Sequence, residues 1–257
     1  MTVTEKRARI VAALTEAEGH LQAMTNRPGG RPEDSPDAFA LYMFAATARN
    51  RVRAVRLLLE HDALPDAAVL VRTLFEMCVS AHYICCASLG ERTQRGKRFL
   101  CMESIHREHI IQQVIGAANP ALKQRLLKSR GEPQWTELHN QADACRREFP
   151  NASARTDWSG LEYAEMIKHI EGHPNTQEAL ENDHRVHYQA LSGYAHPTVT
   201  GVQSALSGSE PDGLLVTLAI LALKWTVSIW EAYNGKRCSE TDAVAKLSAE
   251  IDSATEL

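Results

Sequence analysis

Residues 67–87 read AAVLVRTLFEMCVSAHYICCA, and residues 214–230 read LLVTLAILALKWTVSIW. Neither run alternates apolar and polar residues with a period of two, and both are too long for ordinary strands, so both read as helices. A helix that is apolar on nearly every side belongs in the middle of a protein, with other helices covering it. The second run is short for a bilayer and carries Lys224 near its middle, so it is expected to be a central core helix with no membrane partner. Two such helices predict an all-α fold, a multi-helix bundle.

The segments around them agree. Pro- and Gly-rich breaks divide the chain into helical stretches at 4–24, 36–61, 65–88, 91–117, 121–128, 135–149, 161–170, 175–196 and 214–233, with a last amphipathic helix from about Glu240. Ser35-Pro36-Asp37 has the form of a helix start, Ser35 as N-cap and Pro36 in the first turn. No stretch shows sustained strand periodicity, so no sheet is expected. The chain is expected to form one helical domain over 1–257. About five long helices, within 35–117 and 174–233, would form its core bundle. Residues 118–173 read as a short-helix insertion and 237–257 as a C-terminal helix.

With 257 residues and 44% hydrophobic content, the chain can bury a large core without metals or disulfides. A formal net charge of -4 excludes a global basic field for nucleic acid, though not a local one. Met1 to Ile10 contain no apolar run of the kind a signal peptide needs, so a cytoplasmic location is expected. Cys78, Cys85, Cys86, Cys101, Cys145 and Cys238 form no C-x-x-C pair, which predicts reduced, buried thiols. No phosphate-binding glycine loop or zinc-finger spacing is present, and no cofactor is expected.

Two polar clusters break the apolar pattern. Arg72 and Glu76 are the only formal charges in 67–87 and lie four residues apart, hence on one helix face. A buried charge requires a partner. The pair is therefore either an internal salt bridge or a polar pocket in which Glu76 orients Arg72 toward an anion. The second cluster closes the 175–196 helix, where Tyr188, Ser192 and His196 recur every four residues and Pro197 stops the helix. His184 and Arg185 continue that side one turn earlier. His196 then serves as a cap at the negative helix end or as a general acid/base, with Ser192 or Tyr188 orienting it.

R-x-x-x-E in an apolar helix followed by Y-x-x-x-S-x-x-x-H-P resembles a family of bacterial helical proteins of unknown function, from about residue 40 to 232. The resemblance is most specific at Val71 to Glu76 and at Tyr188 to Pro197. The second segment also resembles the HEPN superfamily of helical bundles, which includes RNase toxins and antiviral effectors. That resemblance implies a metal-independent RNase or nucleotide-binding protein in stress or phage defence. Its catalytic set would be Arg72, Glu76, Tyr188, Ser192 and His196, and its partners RNA or a nucleotide. Gln189, Ala190 and Leu191 occupy the register where HEPN nucleases carry Arg, so Arg72 would have to supply the guanidinium from a neighbouring helix. The alternative class is a non-enzymatic module that forms a homo-oligomer or binds a partner.

E-x-x-H occurs at Glu103/His106 and at Glu181/His184. With Glu76 and either Glu162 or Glu165, these residues offer a third alternative, a di-metal carboxylate site. Arg49, Arg53 and Arg56 share one helix face, and Arg92, Arg95, Lys97 and Arg98 cluster in sequence. Each set is either a solvated surface or a contact for an RNA backbone.

Overall fold

Pro36 and Pro65 set the starts of two central helices, because a first-turn residue has no use for the amide hydrogen that proline lacks. Helix α2 spans Pro36–Glu60 and α3 spans Leu64–Cys85, each with proline in its first two positions. The linker between them is short, so the two pack as antiparallel neighbours. The computed structural model describes residues 2–25, 35–129, 133–151, 158–173, 180–195, 212–235 and 238–253.

Helix α1 spans Val3–Thr25, α4 Leu89–Ala117, α5 Pro120–Ser129, α6 Pro133–Glu148 and α7 Tyr163–Glu171. Helix α8 covers Leu180–Asp183, a π-turn follows over His184–Tyr188, and α9 covers Gln189–Ala195. Helix α10 spans Asp212–Asn234 and α11 spans Ser239–Ser253. No strand occurs among the described residues. The fold is an all-α multi-helix bundle, as the apolar runs require.

Helices α3 and α10 pack along each other and both pack on α2. Each is long and apolar enough to cross a membrane by length and composition, but 56% and 67% of their most apolar stretches are buried inside the protein. Phe75, Trp225 and Trp230 are among the largest fully buried side chains of this core. Burying one such side chain stabilises the fold by about 1.5–3 kcal/mol. The core also extends beyond the expected long helices. Ile10, Leu14, Ala17, Leu21 and Met24 are buried along α1, which packs on α2 and α11. Their spacing of three or four residues is the stripe that a helix needs to bury one face.

The 118–173 stretch divides between two places. Helices α5 and α6 pack on α4, whereas α7 packs on α3 and α8. One cysteine expectation is corrected here. Cys101 and Cys145 are joined as a disulfide, with Cα atoms 5.4 Å apart. Packing of α6 along α4 brings together two residues 44 positions apart, a pairing that sequence spacing does not display. Cys78, Cys85, Cys86 and Cys238 are not joined in disulfides. Burial pushes the Cys85 thiol up to about 11, so it stays protonated.

Ser35 takes the extended N-cap conformation, but its hydroxyl bonds to the Asp37 carboxylate and makes no capping bond to a first-turn amide. Asp37 is 4% exposed and also pairs with Arg92 of α4 at 2.7 Å. The α2 start is thereby tied to α4. Gly96 makes that approach possible, because a Cβ there would lie 2.4 Å from Asp37 Cα and 2.8 Å from Pro36 carbonyl carbon.

Candidate functional site

Arg72 and Glu76 project from one side of α3, and α9 with the preceding π-turn packs across α3. The Tyr188 hydroxyl lies between the two charges. Arg72 Nη2 donates to it at 3.2 Å, and the hydroxyl donates to Glu76 Oε1 at 3.1 Å. Arg72 and Glu76 also meet directly at 3.2 Å. Residues more than a hundred positions apart thus form one hydrogen-bonded triad. Arg72 and Glu76 keep 18% and 25% of their side-chain surface exposed, so the pair is half-buried and within reach of solvent.

The electrostatics hold Arg72 charged and Tyr188 neutral. Burial disfavours the Arg72 charge, but the Tyr188 hydroxyl and the Glu76 carboxylate outweigh it and hold the guanidinium above its ordinary pKa. Burial also pushes the Tyr188 phenol up. Glu76 adds to that push, and the hydrogen bond from Arg72 opposes it. At neutral pH Tyr188 is therefore a neutral phenol that accepts from Arg72 and donates to Glu76.

Aromatic rings form the floor of this site. Tyr188 stands 5.3 Å from Phe75 and 6.1 Å from Tyr163, measured between ring centroids. His184 stacks on Tyr188 at 5.2 Å with 20° between the planes. The Arg72 guanidinium carbon lies 5.1 Å from the Tyr188 centroid, within cation–π range. Both stacked rings belong to the π-turn, which His184 opens and Tyr188 closes. Arg185, expected on the same side as His184, is exposed.

The remaining expected residues behave differently. Ser192 Oγ donates to the Tyr188 carbonyl at 2.8 Å, the back-bond that serines make inside helices. It supports the helix that presents Tyr188 and is not joined to the charged pair. His196 lies outside the described residues.

The di-metal alternative, which would draw on Glu76, Glu103, His106, Glu181 and His184, is corrected by the packing. Among the described residues, no three His, Cys, Asp or Glu side chains come together as a metal-binding group. Glu76 is held by Tyr188 and Arg72. Glu103 is exposed and pairs with Arg107, so it does not join His106, which is half-buried on the same helix, in a ligand pair. Glu165 accepts from the Glu162 amide at 2.9 Å at the start of α7. Glu181 is exposed as well, and His184 is taken up by the ring stack. Glu103 and His106 lie on α4, which packs mainly on α2 and α6, whereas Glu181 and His184 lie beside α7 and α9. The two E-x-x-H pairs therefore have no common centre.

Sequence reasoning missed the anchor of the π-turn. Asp183 is 3% exposed and receives Lys224 Nζ at 2.8 and 2.7 Å and Trp225 Nε1 at 3.0 Å. It pins the residue before His184 to α10. Lys224 carried the signal, since a lone lysine inside an apolar core helix calls for a buried acid opposite it. A second missed cluster joins α4 to α6. Glu108, 9% exposed, bonds His139 Nδ1 at 2.5 Å and pairs with Arg146.

Residues 38–214, more than half of the chain, match a family of unknown function, DUF5677. The chain belongs to that family. The matched span contains Arg72, Glu76 and Tyr188, and it leaves α1, most of α10 and α11 outside. No curated protein and no solved structure gives a match.

Proposed function

We propose that this chain is a HEPN-like protein of the cytoplasm that acts on the phosphate of RNA or of a nucleotide, in stress or phage defence. The observation that carries the reading is the meeting of the two sequence motifs at the Tyr188 hydroxyl, beside an arginine that solvent can reach. A buried ion pair adds little stability over apolar residues of the same shape, so a half-buried Arg–Glu pair favours a ligand role for the guanidinium. Arg72 can turn part of its fork to a phosphate while Glu76 and Tyr188 hold the rest. The Tyr188–His184 stack supplies a flat aromatic surface for a base.

In the ribonuclease form of this reading, His196 takes the proton of a ribose 2′-hydroxyl. The 2′ oxygen then attacks phosphorus, the bond to the 5′ oxygen breaks, and that oxygen leaves with a proton. The products are a 2′,3′-cyclic phosphate and a free 5′-hydroxyl. Arg72 stabilises the charge that builds on the phosphoryl oxygens, and no metal ion is required.

The test is RNA cleavage by the purified protein in chelator, with Arg72→Ala, Tyr188→Phe and His196→Ala variants beside the wild type. Cleavage that Arg72→Ala and His196→Ala both abolish, with folding intact by circular dichroism, is the expected result. Cleavage that is absent, or unchanged in these variants, removes the nuclease. Loss of mononucleotide binding in Arg72→Ala would then separate a binding site from a structural pair.

One observation favours the second reading, a non-enzymatic module that self-associates. Ile110, Val114, Leu122 and Leu127 are 57%, 48%, 42% and 43% exposed on α4 and α5. Ile110 also lines a cavity of about 540 Å³, together with Trp135 and Leu138 among others. Under this reading sedimentation shows a dimer that Ile110→Asp dissociates.

A further inference from the structure

We propose that the groove between α1 and α2 is a second binding site, for a phosphorylated small molecule that Arg49 and Arg53 hold. The groove encloses about 380 Å³, within the range of small-ligand sites. Its lining brings three arginines, Arg49, Arg53 and Arg56, together with a single carboxylate, that of Glu18. The chain as a whole is acidic, with net charge -4, so the local sign is opposite to the global one.

The three arginines are not equivalent. Arg56 is neutralised by Glu18 and by Glu60 at 3.2 Å. Among the described residues, Arg49 donates only to neutral acceptors, Gln22 at 2.7 Å, Thr25 at 2.8 Å and Asn50 at 3.1 Å. These bonds fix its side chain and leave its charge uncompensated. Arg53 is exposed, and among the described residues no carboxylate pairs with it. Two unneutralised guanidiniums thus stand one helical turn apart, an arrangement that weakens a helix unless an anion lies between them. The basic run on α4 differs in this respect at three of its four positions. Arg92 pairs with Asp37, Arg95 with Glu91 and Lys97 with Glu148.

The opposite wall leaves room for the anion. Gly19 sits inside α1, where glycine is a poor helix former. A Cβ at this position would meet nothing within 4 Å. The groove wall at Gly19 is therefore open, with room for an added group in front of the helix. Guanidinium forks bind phosphate oxygens through paired, charge-assisted hydrogen bonds, and the Gln22 and Asn50 amides add polar groups at the rim. The groove lies on α1 and α2, whereas the Arg72 site lies on α3 and the π-turn before α9, so this proposal does not depend on that reading.

The experiment is a calorimetric titration of the full chain with sodium tripolyphosphate at about physiological ionic strength. Saturable binding of one tripolyphosphate per chain is expected. Arg53→Gln, an exposed change, should weaken it at least about tenfold. Gly19→Leu fills the groove and should block binding without lowering the thermal midpoint. Arg72→Ala should leave binding unchanged, which separates the two sites. Absence of saturable binding overturns the proposal, as does equal binding by wild type, Arg53→Gln and Gly19→Leu. Binding of single-stranded RNA that depends on Arg53, with no binding of tripolyphosphate, also overturns it and would assign the groove to a nucleic-acid backbone.

Discussion

Replacing Asp183 by alanine should destabilise the protein by about 3 kcal/mol, mostly through Trp225. The Trp225 side chain is 1% exposed, and Asp183 Oδ2 accepts from its ring nitrogen at 3.0 Å. Removing the acceptor strands a buried N–H, which costs about 1–3 kcal/mol. The small cavity left by the carboxylate adds about 1 kcal/mol. Lys224 contributes less. Its side chain is 50% exposed, so water replaces the lost partner and the pair counts within the roughly 0–1 kcal/mol of a surface bridge. For a chain of this size each kcal/mol shifts the melting midpoint by about 2–4 °C, so the drop should be roughly 6–12 °C. Thermal melting followed by circular dichroism measures it, and tryptophan fluorescence reports the Trp225 environment. The double variant Asp183→Ala/Lys224→Met should melt no lower than Asp183→Ala alone, since the lysine has nothing left to hold. A loss below about 1 kcal/mol in Asp183→Ala, or full additivity in the double variant, would refute the assignment of Asp183 as the anchor of the π-turn.

Gly96→Ala should destabilise by about 2 kcal/mol or more although it improves helix propensity, because the added Cβ strikes the α2 backbone at 2.4 Å. Urea unfolding measures it, and an unchanged midpoint would mean that α2 and α4 can part at no cost. Burial raises the Glu108 carboxyl, but Arg146 and His139 outweigh it and hold the group below its ordinary 4.5. Its contribution is therefore present above that value and is lost as pH falls through the lower folded value. Glu108→Gln should be less stable than wild type at neutral pH and should lose less on acidification below about 4.5, as read from urea midpoints across that range. Parallel acid limbs for the two proteins would contradict the pairing.

The residues that carry fold class need no tertiary information. Runs such as 67–87 and 214–230 can bury themselves only as central helices, and the prolines at 36 and 65 mark helix starts through the missing amide hydrogen. The Arg72/Glu76 pair was legible for the same reason, since two charges in an apolar helix stand out against it. Periodicity along one helix cannot say which helices meet. Only packing of the π-turn segment across α3 places the Tyr188 hydroxyl between Arg72 and Glu76. Only the route of α6 along α4 joins Cys101 to Cys145. The E-x-x-H spacing of Glu103 and His106 was equally visible in the chain, yet α4 carries it to a different part of the bundle from Glu181 and His184. Asp183 likewise looked like one acid among several until α10 brought Lys224 and Trp225 to it. Local sequence determines helices and their apolar faces because those depend on neighbours three or four residues away. Partners far apart in the chain are decided by how the faces fit, which no local pattern records.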